Sequence, residues 1–129
     1  MSKEPVINQT VVLTVASLLT LVLANIHLAD DVILKLSPAG FTNLAVVAFS
    51  LVWLYGTLVL AEQRAGYIIT LAGSVLAFGV CLIHMRGAGL VGPRVAASGN
   101  AFRFVLTVLA MATSAAFSAV LSARALWRR

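Results

Sequence analysis

Apolar residues fill four long runs along the chain, and polar residues collect between them. A helix that crosses a bilayer needs about 20 predominantly apolar residues, and each run is close to that length. The pattern predicts helices over about 7–28, 38–61, 65–83 and 99–126. Ser37-Pro38 reads as N-cap and first-turn proline of the second helix, with Trp53 and Tyr55 inside it. Glu62-Gln63-Arg64 is a polar turn too short for anything but an antiparallel neighbour. The longest connection, His84 to about Ser98, holds Gly87, Gly89, Gly92 and Pro93, and Trp127-Arg128-Arg129 forms an interface anchor. The expectation is an all-α integral membrane protein, a four-helix antiparallel bundle forming one domain over 1–129.

Stripes within the runs say which faces turn inward. Thr10, Leu13, Ser17, Thr20, Ala24, His27 and Asp31 recur at alternating spacings of three and four, and so do Gly66, Thr70, Gly73, Ala77, Val80 and His84. The last run offers Arg103, Thr107, Ala110, Ser114, Ser118 and Ser122. Small and hydroxylic residues let membrane helices approach closely, whereas lipid-facing surfaces have no use for them. These three faces are expected to line the bundle interior.

Composition agrees with a bilayer environment. The chain is 61% hydrophobic and 10% charged, well outside the balance of a soluble domain. Its net charge of +5 is no nucleic-acid signature, because the basic residues sit singly at the ends of apolar runs, where headgroups lie. A lone cysteine, Cys81, excludes an intramolecular disulfide and a CxxC redox pair. Val11 to Leu23 has the length of a signal-peptide core, with Val22-Leu23-Ala24 as a cleavage site, but Lys3 beside Glu4 gives little positive bias before it. The first helix is therefore expected to stay. Four spans put both termini on one side with Lys3, Arg64, Arg124, Arg128 and Arg129, against Lys35, Arg86, Arg94 and Arg103. Five to four favours cytoplasmic termini, in what is expected to be the inner membrane of a prokaryote.

The candidate chemistry centres on Asn25-Ile26-His27-Leu28-Ala29-Asp30-Asp31. On a helix His27 and Asp31 share a face, with Asp30 beside them. In a four-helix bundle His84 reaches the same membrane level, and the start of the last helix adds Arg103 and Asn100, with Asn43 near the start of the second. Three site readings follow. Polar residues at helix ends can be purely structural, with Asp31 pairing to Arg103 or Arg86. His27 and His84 can be axial ligands of a haem, with Arg86, Arg94 and Arg103 on its propionates, or hold a quinone headgroup oriented by Asp31. His27, Asp31 and His84 can also be a two-histidine, one-carboxylate set for zinc, copper or ferrous iron, with Asp30 or Met85 as an extra ligand.

No nucleophile elbow, facing carboxylate pair or phosphate loop is present, so nothing points to an enzyme. All four acidic residues lie at or beyond helix ends, which argues against a proton-coupled antiporter, whereas a small transporter or channel, with a dimer lining a pore by Ser and Thr, is a further alternative. Ala112, Ala115, Ala116, Ala119 and Ala123 add close-packing surface to the last helix. That surplus favours an accessory subunit of a larger membrane assembly or a homo-oligomer, with membrane lipid and other membrane subunits as partners. The alternative is a cofactor or metal binder at His27, His84 and Asp31.

Overall fold

The structure, a computed structural model, describes residues 8–36, 41–86 and 90–128. Ser37-Pro38, Lys3, Glu4, Gly87, Gly89 and Arg129 lie outside these residues. The described chain is helical, without strands: α1 Gln9–Ile33, α2 Phe41–Leu58, α3 Arg64–His84, α4 Pro93–Ala97 and α5 Ala101–Trp127. Three of these helices, α1, α3 and α5, are long and apolar enough to cross a membrane.

Two boundaries differ from expectation. The first helix runs to Ile33 rather than ending near residue 28, so Asp30 and Asp31 join His27 inside its last two turns and do not lie in a connection. Nothing between residues 29 and 33 interrupts a helix, and the chain leaves it only where Lys35 takes φ 56°. The second helix ends at Leu58 rather than 61. There Val59 and Leu60 both donate to the Tyr55 carbonyl, and Gln63 N–H bonds the Leu60 carbonyl at 2.9 Å, so the last apolar residues of the run form the turn. Gly66 closes that turn: a Cβ on it would lie 1.9 Å from the Leu60 carbonyl oxygen. The glycine-rich connection contains a single-turn helix, α4, whose Val95 is buried in the core.

Most of each stripe is buried as expected, but Arg103, the first residue of the α5 stripe, is exposed, and Thr10, Ala24, Asp31, Val80, His84 and Ala110 are half-buried. Leu13, Ser17, Thr20 and His27 of α1, Gly66, Thr70, Gly73 and Ala77 of α3, and Thr107, Ser114, Ser118 and Ser122 of α5 are all buried. Val11, Val15, Leu19, Val22 and Ile26 form an exposed apolar stripe on α1, and Phe102, Leu106, Leu109, Phe117 and Val120 do so on α5. An apolar outside around a hydroxyl-lined inside is the distribution that lipid demands. Buried hydroxyls join the helices in pairs: Thr20 to Ser114 at 3.0 Å, Ser74 to Ser118 at 2.9 Å, and Ser17 to Thr57 at 2.8 Å. Trp53 donates to the Ser17 hydroxyl at 2.9 Å and lies flat over Gly73, where a Cβ would meet its ring at 2.4 Å. Glycine at 73 is what seats α2 against α3.

The alanines of α5 are taken up inside the chain. Ala115 is fully buried, Ala112, Ala116, Ala119 and Ala123 are half-buried, and the exposed face carries large side chains instead.

Candidate metal centre

Three helix ends build the site. The last two turns of α1 carry His27, Asp30 and Asp31, the last residue of α3 is His84, and the first turn of α5 brings Arg103 and Phe104. His27 and Asp31, four residues apart, turn to α3, while Asp30 is rotated by about 100° and turns to α5.

The two imidazoles meet directly. His27 Nε2 lies 2.8 Å from His84 Nε2, with the rings edge-on at an interplanar angle of 85°. Asp31 Oδ2 lies 3.5 Å from His27 Nε2 and 3.4 Å from His84 Nε2. Phe104, itself buried, packs on both rings with centroids at 5.4 and 5.5 Å and walls off the inner side. His27 is 3% exposed, whereas the side chains of His84 and Asp31 keep 19% and 14%. Access therefore runs past His84 and Asp31. Among the described residues, three buried side-chain polar atoms lack a hydrogen-bond partner: His27 Nδ1, Asp30 Oδ2 and Asp31 Oδ1.

The triangle of donors has the dimensions of a metal site. With metal–ligand bonds of about 2.0–2.1 Å, two ligands are about 3.4 Å apart at a tetrahedral angle and about 2.9 Å apart at a right angle. The observed edges are 2.8, 3.4 and 3.5 Å: the two to Asp31 are close to the tetrahedral value, and the His27–His84 edge, at hydrogen-bonding distance, is slightly shorter than the right-angle one. Without a cation, three atoms rich in lone pairs would share one small volume, held only by imidazole protons. The helix dipoles act both ways: α1 and α3 direct their negative ends here, while the N-terminus of α5 directs its positive end.

A haem fits this geometry poorly. Axial nitrogens bonded to one iron at about 2.0 Å stand about 4 Å apart with the macrocycle between them, and here they are at 2.8 Å. Arg103 is not available for a propionate. Its guanidinium bonds Asp30 Oδ1 at 2.6 Å, an ion pair in which Asp30 is 5% exposed and Arg103 56%. This also corrects the expected pairing of Asp31 with Arg103 or Arg86. Arg103 takes Asp30, because that carboxylate faces α5, and Asp31 is left to the histidines; Arg86 is exposed beyond α3.

The further candidates are dispersed. Asp30 pairs with Arg103 through Oδ1 and stands outside the His27, Asp31 and His84 cluster, and Met85 is exposed. Arg94 donates to the Lys35 carbonyl, and Asn100 bonds Ser98 at the start of α5. Asn43 is half-buried near the start of α2. Phe104 escaped sequence reasoning, although it precedes the inward Thr107 by three residues and so shares its face. Comparison with protein-family models, with curated proteins and with solved structures finds no match to this chain.

Proposed function

We propose that this chain is a four-helix antiparallel membrane bundle of α1, α2, α3 and α5 that binds one divalent first-row transition metal ion through His27, Asp31 and His84. The convergence of His27 Nε2, His84 Nε2 and Asp31 Oδ2 within one another's van der Waals reach carries this reading. Two imidazoles and a carboxylate suit zinc, copper or ferrous iron. Three protein ligands leave a coordination position open, as in sites that offer the metal to another molecule rather than sealing it. The bundle is supported by the pairs Thr20–Ser114 and Asp30–Arg103, in which numbering falls along α5 as it rises along α1. The charge bias keeps the termini cytoplasmic in a prokaryotic inner membrane and puts the metal on the opposite face.

The test is metal content. The full chain, purified in detergent and stripped with a chelator, is loaded with Zn²⁺ and desalted. One equivalent per chain is expected, with loss in His27→Ala and His84→Ala at unchanged helical content. Equal retention in wild type and both variants contradicts the proposal.

A further inference from the structure

The end of α1 is closed in an uncommon way. Leu36 N–H bonds the Asp31 carbonyl at 2.8 Å and Lys35 N–H bonds the Val32 carbonyl at 3.2 Å, the paired bonds of a Schellman motif. Its left-handed position usually belongs to glycine, because a Cβ there crowds the next carbonyl. Lys35 occupies it at φ 56°. Such a conformation persists where the surroundings enforce it, and it concentrates at ligand clamps and active sites. Here Arg94 of α4 donates to the Lys35 carbonyl.

Beside this turn lies a shallow, open cleft of about 460 Å³ lined by Ile33, Leu34, Lys35, Arg94, Ala97 and Ser98. Two of its walls are cations. Among the described residues neither Lys35 nor Arg94 has an ion-pair partner, since Asp30 is held by Arg103 and Asp31 by the imidazoles. Arg94 has five N–H donors to offer, of which the Lys35 carbonyl occupies one. The cleft starts at exposed Ile33, the last residue of the apolar span of α1, and so lies at headgroup depth.

We infer that this cleft binds a phosphate group, with the Lys35 ammonium and the Arg94 guanidinium as its two charged contacts. A lipid phosphodiester and free phosphate share that chemistry. The inference stands apart from the metal proposal, because neither cation takes part in the metal centre.

Lys35 makes an unusually clean test. Lys35→Gly removes the charge and relieves the left-handed backbone, so the melting temperature should hold or rise while phosphate binding falls. Arg94→Gln is the second variant. The full chain is purified with phosphatidylglycerol, bound lipid is counted by native mass spectrometry, and inorganic phosphate is added as competitor. Retained phosphatidylglycerol should fall about tenfold in each variant, the effect of one lost charge-assisted hydrogen bond. Retention that resists millimolar phosphate identifies a lipid site, and displacement by it identifies a soluble phosphate site; both support the inference. Equal retention in wild type and both variants overturns it. So does a loss in Lys35→Gly that comes with a lower melting temperature, since the lysine would then be structural.

Discussion

His27 and His84, 57 residues apart in the chain, point their Nε2 atoms at each other across 2.8 Å. Each comes from the C-terminal end of a membrane-length helix, and Asp31 completes the triangle from the same face of α1 as His27. Paired imidazoles at hydrogen-bonding distance, with a carboxylate beside them, are the geometry on which the proposed metal site rests.

Removing any corner of the triangle should weaken metal binding. His27→Ala, His84→Ala and Asp31→Asn are each expected to lower Zn²⁺ affinity on the order of a hundredfold or more, beyond the 10–100-fold typical of an outer-shell partner. Competition against a chromophoric chelator reads this directly. Asp30→Asn should have a much smaller effect, because its carboxylate faces Arg103.

The Asp30–Arg103 pair is expected to be structural. Arg103→Ala leaves a buried carboxylate without its cation and should destabilise the fold by about 1.5–3 kcal/mol, the range for a hydrogen bond to a charged group. Arg103 is half-exposed, which keeps the effect below that of a fully buried pair. In a double-mutant cycle, Asp30→Asn should be coupled to Arg103→Ala and Asp31→Asn should not. Coupling through Asp31 instead would reverse the assignment of the two carboxylates.

Gly73 and Trp53 give a packing prediction. A Cβ at 73 would stand 2.4 Å from the indole of Trp53, itself held by Ser17. Gly73→Ala should therefore cost about 1–3 kcal/mol through overpacking, read as a lower melting temperature in detergent. The same substitution at Gly79, where a Cβ meets nothing within 4 Å, should be neutral or slightly stabilising.

Ser118 is fully buried and bonded to Ser74 within the same chain. Ser118→Leu is expected to unfold the isolated chain, and Ser118→Ala to cost about 0.5–1 kcal/mol. A Ser118→Leu chain that keeps its melting temperature yet loses a partner would return that ridge to an intermolecular role.

The inward faces were legible in the sequence because small and hydroxylic residues at helical spacing have one physical use in lipid, close helix contact. Leu13, Ser17, Thr20 and His27 on α1 and Thr70, Gly73 and Ala77 on α3 follow that rule. The association of His27, Asp31 and His84 was legible for the same reason: each extends an inward stripe. Other features were not. Helix ends depend on where the backbone turns, and neither the run-on of α1 to Ile33 nor the stop of α2 at Leu58 leaves a mark in apolar periodicity. The choice between Asp30 and Asp31 as partner of Arg103 rests on about 100° of helical phase, which adjacent carboxylates conceal until the position of α5 is known. Phe104 was hidden by its chemistry, since an apolar ring on an apolar helix gives no signal that it walls a polar site.

The most direct test of the metal centre is the X-ray absorption fine structure of the Zn²⁺-loaded chain. The coordination proposed here requires two imidazole nitrogens and carboxylate oxygen at about 2.0–2.2 Å, with the outer-shell scattering of two histidine rings and no sulfur. That pattern, reduced to a single ring in His84→Ala, is the predicted result. A shell without histidine scattering, or one containing the sulfur of Cys81, would contradict it.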